Sequence, residues 1–192
     1  MTTHTTRRTL DLIDRLTRLA NAEDWSGDLN PAQHMALSYL RQANRFSRAP
    51  SQVADYLATT RGTASQTLKA LARKGYIQET RSPHDRRSIA YQITAEGLSV
   101  LSPRSGVPGT METALDAMPE PERAGLANGL ELIIRQMLSL RGERSFGLCA
   151  TCRHHDATPD GLRCLLLGVS LANEEADQIC HEHALPLSAA AS

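Results

Sequence analysis

Four cysteines fall in the last quarter of the 192-residue chain: Cys149, Cys152, Cys164 and Cys180, in the pattern C-x2-C-x11-C-x15-C. Two thiolates separated by two residues can grip one metal from a single tight turn, and two further thiolates complete a tetrahedral set. Four of the seven histidines, His154, His155, His181 and His183, stand alongside. They are ligands, partners of ligands, or ordinary surface residues of a polar tail. Four unconnected buried cysteines in so short a stretch would be unusual, and a thioredoxin-like dithiol lacks the βαβ unit that normally carries it. A segment with little apolar core also needs a staple of this kind to fold.

The metal stays open between Zn2+ and a [4Fe–4S] cluster. Zinc commonly takes four cysteines, or three with one histidine, but two-knuckle zinc sites show two close pairs and here there is one. One close pair followed by two isolated cysteines resembles the spacing of high-potential iron–sulfur proteins. Four thiolates suit such clusters chemically. Against the cluster, Phe146 is almost the only aromatic at hand to shield it.

The rest of the chain must position this centre. Hydrophobic residues make up 41% and charged residues 22%, too apolar for wholesale disorder. No run approaches the roughly 18 apolar residues of a membrane span. The start, MTTHTTRRTLDLIDRL, turns amphipathic where a secretory peptide needs an unbroken apolar core. A cytoplasmic protein is expected, and in that reducing compartment cysteines suggest metal or redox chemistry before disulfides. Aromatics at 4% disfavour a strand-dominated fold.

Net charge is zero, but it is segregated. Between Arg41 and Arg87 ten Lys/Arg face three acids, a net +7, and the remaining 11 basic and 18 acidic residues give −7. Such separation across several elements is the footprint of a polyanion-binding module.

Leu12, Leu16 and Leu19 predict an amphipathic first helix over residues 7–22. Asn30 caps a second helix with Pro31 at its first position, running to about Arg45 with Met35, Leu37 and Leu40 inward. Pro50–Ser51 opens a short third helix with Val53, Ala54 and Leu57 buried. TTRG forms a tight connection to a fourth helix, on which Ala64, Leu68 and Leu71 share one face and Gly75 caps the end. YIQETR and IAYQIT then read as two strands around the basic tip SPHDRRS. Thr94 starts a fifth helix, the Gly/Pro/Ser-rich run SPRSGVPG breaks the chain, and a long helix begins at Glu120. Its Leu126, Leu130, Ile133, Met137 and Leu140 form a 4-3-4-3 seam suited to a partner helix. The expected architecture is mostly α with a small β-hairpin wing: a winged helix-turn-helix over 8–140, then a small metal-stabilised tail over 141–192.

A helix entering the major groove needs polar side chains near its N-terminus. Arg61, Thr63, Ser65, Gln66 and Thr67 supply them, with Lys69 and Arg73 reaching phosphates farther along. Gln66 and Arg61 suit base reading, while Thr63 and Ser65 suit positioning. At the hairpin tip, Arg86 and Arg87 suit the minor groove, and Asp85 suits holding a nearby arginine.

The run SQVADYLATTRGTASQTLKALARKGYIQETRSPHDRRSIAYQITAEG resembles the multiple-antibiotic-resistance regulator (MarR) family of bacterial transcription factors. Asp85-Arg86-Arg87 followed by Ile93-Thr94-Ala95-Glu96-Gly97 is similar to that family's wing signature. The resemblance covers roughly residues 8–140. It implies a homodimer joined by its first and last helices, bound to a pseudo-palindromic double-stranded DNA operator, usually as a repressor. It also implies Arg87 as the minor-groove arginine, Asp85 as its partner, and a small-molecule ligand between stem and winged domain, for which Trp25, His34 and Met35 offer vague candidates. The Ser102–Gly109 break and the cysteine tail depart from the family pattern.

No catalytic grouping stands out, and four cysteines would close a zinc sphere that catalysis needs open, so no enzyme is expected. A metal-dependent hydrolase and a winged-helix adaptor for protein partners are the alternatives.

Overall fold

The computed structural model describes residues 3–23, 28–81, 88–101, 109–142, 145–159 and 161–185. Among them the helices are α1 (His4–Glu23), α2 (Pro31–Gln42), α3 (Pro50–Tyr56), α4 (Arg61–Arg73), α5 (Ala95–Leu101), α6 (Thr110–Asp116) and α7 (Glu120–Arg141). Between α4 and α5 lies a hairpin of β1 (Ile77–Arg81) and β2 (Ile89–Ile93). After α7 come β3 (Gly147–Leu148), β4 (His155–Thr158), β5 (Gly161–Cys164), β6 (Val169–Leu171) and β7 (Ile179–Cys180). No described helix is long and apolar enough to cross a membrane.

The start of α2 follows from its sequence. Asn30 accepts the Gln33 N–H at 2.9 Å, and the Gln33 side chain reaches back to the Asn30 N–H, a reciprocal capping box. The end does not. The expected helix to Arg45 stops at Gln42, because Ala43 turns extended and bridges to Ile179 while the Asn44 N–H donates to the Ile179 carbonyl at 2.9 Å. A tertiary ladder wins over helix propagation here. Met35, expected inward, is 47% exposed; Ala36, Leu37, Tyr39 and Leu40 form the buried stripe.

Those four join Leu29, Val53, Leu68, Leu71, Ile77 and Tyr91 in the main core, so α2, α3, α4 and the hairpin share one apolar centre. The hairpin is antiparallel, with Ile77 opposite Ile93 and Arg81 opposite Ile89. Gly75, at φ +78°, ends α4: its N–H donates to Ala72 and that of Tyr76 to Leu71, a Schellman motif. Thr94 caps α5 through its Oγ1, which accepts the Gly97 N–H at 3.1 Å. The helix α6 was not foreseen.

Gly97 is required by proximity. A Cβ there would stand 2.1 Å from the Tyr76 carbonyl oxygen and 2.8 Å from Ile93 Cγ1. Gly97→Ala is therefore expected to destabilise the protein by about 1–3 kcal/mol through overpacking. An unchanged denaturation midpoint would mean that α5 sits less tightly on the hairpin.

The tail carries two small antiparallel sheets, β3–β7 and β4–β5–β6. Phe146 and Ile179 pack on the main core. Phe146 lies edge-on to Tyr39, Tyr56 and His181 at ring separations of 6.2, 5.3 and 5.2 Å. Its backbone is left-handed, φ +43°, an unfavourable state that this surrounding ring cluster holds in place.

Candidate nucleic-acid interface and cysteine centre

The fourth helix begins earlier than expected. Arg61 is its first residue, because Thr60 caps it by accepting the Thr63 N–H at 3.1 Å. With Ala64, Leu68 and Leu71 buried, the helix presents Gln66, Lys69 and Arg73 outward at i, i+3 and i+7. Arg61 and Thr63 are also exposed, and Ser65 and Thr67 are half-buried. The Thr63 hydroxyl lies 2.8 Å from that of Thr60, within the cap. Asp85, Arg86 and Arg87 lie outside the described residues.

Not all of the basic cluster is free to meet a polyanion. Arg48 donates twice to the Ala43 carbonyl, at 2.9 and 2.7 Å. Arg45 donates to Glu175 at 2.6 Å and to the Ser170 carbonyl at 2.7 Å. Lys74 is bonded to the Asp28 carbonyl and to Gln33. These three hold the fold; among the described residues Arg61, Lys69 and Arg73 on α4, Arg81 at the end of β1 and Arg41 on α2 remain exposed.

The tail carries all four cysteines, but among the described residues no three His, Cys, Asp or Glu side chains form a group that could hold a metal ion. Cys149 follows β3 and its N–H donates to Gln178, beside Cys180; Gly147 pairs in register with Cys180. The Cys152 N–H returns to the Cys149 carbonyl at 3.0 Å. Cys164 lies opposite His155 across β4–β5 and shares an apolar cluster with Cys149 and Leu171, flanked by Phe46, Leu162, Leu167 and Val169. All four thiols are free; Cys149, Cys164 and Cys180 are buried and Cys152 half-buried. Burial, and then the neighbouring thiols of Cys180, Cys164 and Cys152, push the Cys149 thiol up to about 12. Burial likewise raises Cys180, opposed by hydrogen bonds from the Asn44 side chain and the Glu182 N–H. The Cys152 sulfur accepts N–H bonds from His154 at 3.5 Å and Ala184 at 3.4 Å.

The histidines separate. Both His183 nitrogens are engaged, Nδ1 with Ser145 Oγ at 3.0 Å and Nε2 with Thr151 Oγ1 at 2.9 Å. Its ring lies where a Cβ on Gly147 would be, 2.6 Å away. His154 Nε2 accepts from Arg153 at 3.2 Å, and His155 Nδ1 is 3.7 Å from Cys149 Sγ. His181 is buried against Phe146, and the Asp55 and Glu182 carboxylates stand 3.5 and 3.4 Å from its ring nitrogens. A cavity of about 450 Å³ opens between α7 and the tail, lined among others by Ile134, Phe146 and His183. It lies away from His34 and Met35, and Trp25 falls outside the described residues.

A short helix, a four-residue link, a second helix with a polar outer face, and a hairpin make a winged helix-turn-helix, an architecture of DNA-binding proteins. Residues 27–88 match the model of the MarR family. The regulator PapX of Escherichia coli is 30% identical over 70 residues, 36% of this chain and 43% of PapX. The repressor MprA of E. coli K12 is 28% identical over 115 residues, 58% of this chain and 61% of MprA. The chain thus spans about half the length of these curated relatives. Streptococcus pneumoniae FabT, solved in complex with DNA, superposes with TM-score 0.54 at 24% identity, over 71% of this chain and 96% of FabT. The fold is the MarR-type winged helix.

Proposed function

We propose that this chain is a MarR-type, sequence-specific DNA-binding transcriptional regulator, acting as a homodimer inside the cell on a pseudo-palindromic operator, and as a repressor. The observation that carries this reading is the α4 face of Gln66, Lys69 and Arg73, exposed and backed by a fully apolar inner face on the core. FabT, of the same fold, is seen with DNA, and MprA is a repressor. Homodimerisation is supported by the apolar surfaces of α1 and α7, where Leu12, Leu16, Leu130, Ile133 and Met137 are all exposed in the single chain. The protein acts by binding and carries out no catalysis. The tail holds a metal centre on Cys149, Cys152, Cys164 and Cys180 that stabilises the protein or senses its surroundings. The cavity between α7 and the tail offers a place for a small effector.

The test is retardation of the DNA upstream of the chain's own gene against an unrelated duplex. Gln66→Ala is expected to weaken specific binding by about 1–3 kcal/mol and to relax specificity at one position of the half-site. Equal affinity of the wild type for both duplexes, across a salt titration, would overturn the reading and favour the adaptor alternative.

A further inference from the structure

Among the described residues Glu175, in the tail, is the one buried carboxylate, 4% exposed. An ionised carboxylate loses its hydration there and persists only with charged or hydrogen-bonded partners. Its Oε2 accepts from Arg45 at 2.6 Å and from the Ala172 N–H at 2.8 Å. Arg45 lies in the link between α2 and α3, and its other terminal nitrogen donates to the Ser170 carbonyl at 2.7 Å. The guanidinium also covers the Phe46 ring, 4.5 Å from its centroid. The tail thus grips the link through both prongs of one fork, a geometry that lysine cannot reproduce.

That link is bonded on one side to the tail and on the other to the DNA-reading half. Towards the tail, the Asn44 N–H donates to the Ile179 carbonyl at 2.9 Å and the Ser47 hydroxyl accepts the His181 N–H at 2.8 Å. Phe46 packs on the apolar cluster of Cys149, Cys164 and Leu171. Towards the winged half, the Ser47 carbonyl accepts the Tyr39 hydroxyl at 2.6 Å and the Phe46 carbonyl accepts Gln52 Nε2 at 3.0 Å. The Arg48 carbonyl accepts the Tyr91 N–H at 3.0 Å. Gln52 belongs to α3 and Tyr91 to β2, so one short segment sets the first helix of the helix-turn-helix and the wing strand together.

We infer that Glu175 is a positioning residue for DNA recognition: by holding Arg45 it fixes the link between α2 and α3, and through the link the placement of the wing relative to α4. Reading base edges needs both elements in register on one duplex, whereas attraction to phosphates tolerates misplacement. A loosened brace therefore weakens specific binding and spares non-specific binding. The role in recognition rests on the regulator reading above; the brace itself does not.

Glu175→Gln keeps the side chain's shape and an oxygen for the Ala172 N–H, and removes the charge that holds Arg45. It leaves Arg45 an unpaired cation, so charge alone would strengthen binding to any duplex. The expected result for the operator is the reverse. Affinity for the DNA upstream of the chain's own gene falls about tenfold, as for a corner correctly placed in about one molecule in ten. Affinity for an unrelated duplex stays within about twofold, because phosphate contacts do not need that placement. An equal loss on both duplexes overturns the positioning role, since a smaller folded fraction lowers both together. Because Glu175→Gln could fail to fold, Arg45→Lys tests the same bond from the half-exposed side. It keeps the charge without the fork and is expected to lower operator affinity about threefold to tenfold. The double variant is expected to be no weaker than Glu175→Gln, and full additivity would show that the two residues act independently.

Amide hydrogen exchange without DNA reads the brace directly. In Glu175→Gln the Tyr91 N–H is expected to exchange at least about tenfold faster, through local opening of the link. The Thr94 N–H, bonded to the Tyr76 carbonyl at 3.0 Å, is expected to keep its wild-type rate. An unchanged Tyr91, or an equal rise at both amides, overturns the brace. Wild-type protein that binds both duplexes equally overturns the regulator reading and with it the role in recognition, while a selective rise at Tyr91 then still supports the brace.

Discussion

Replacing Leu130 and Ile133 together by glutamate is expected to convert the protein to a monomer and to lower operator affinity by about 100-fold or more. In the single chain α7 exposes Leu126, Leu130, Leu132, Ile133, Ile134, Met137 and Leu140, with Leu140 at 87%, and α1 exposes Leu10, Leu12, Leu16 and Leu19. A contiguous apolar surface of this kind marks an interface, since isolated proteins rarely leave one open. Leu130, Ile133, Met137 and Leu140 repeat at 3, 4 and 3, the spacing that seats one helix against another. A carboxylate at two of these positions places uncompensated charge in the seam and leaves the winged domain's own core untouched. Loss of the second half-site then removes the tethering gain, worth about 10²–10⁴ in affinity. Sedimentation reads the first effect and retardation the second. A double variant that stays dimeric would place the interface elsewhere.

The second large effect lies in salt dependence. Lys69→Ala with Arg73→Ala removes two charges per protomer and four per dimer from the exposed face of α4. If each neutralises one phosphate, the slope of log affinity against log salt falls by about 3.6. At about 0.15 M salt that counterion term alone is worth roughly a thousandfold. Arg48→Ala is the matched control: its guanidinium is spent on the Ala43 carbonyl, so it should lower stability and leave the slope nearly unchanged. A slope insensitive to Lys69 and Arg73 would show that α4 does not lie against the backbone of DNA.

How far the sequence could be read depended on the range of the interaction behind each feature. Asn30, Pro31 and Gln33 lie within four residues, so the start of α2 was legible; its end depends on Ile179 and was not. Gly75 announced the end of α4 because a left-handed cap is a local need. Thr60 could have been recognised as a cap, from a Thr-x-x-Thr spacing ahead of the buried stripe. The tail's strands escaped notice because they are two to four residues long and β3 pairs with β7, some 30 residues later, too short for any periodicity to show. Phe46 escaped because nothing in its surroundings ties it to Cys149. The ten basic residues read as one footprint, yet Arg45, Arg48 and Lys74 are committed to internal bonds that composition does not reveal. The cysteines' spacing was plain, but the partners of His183 became visible only in three dimensions.

The early end of α2 has a consequence for how the protein is made. Arg45 and Ser47 find their partners 130 and 134 residues later in the chain. At roughly 5–20 residues per second, synthesis takes about 7–26 s to supply them. Helices α2, α3 and α4 can pack during that interval, but the link between α2 and α3 waits with Asn44 and Phe46 unmatched. The DNA-reading half is thus translated early and completed late. A nascent chain gains its finished wing support only when the cysteine segment has been added, so premature termination between α7 and β7 leaves a winged domain lacking contacts that define its α2–α3 corner.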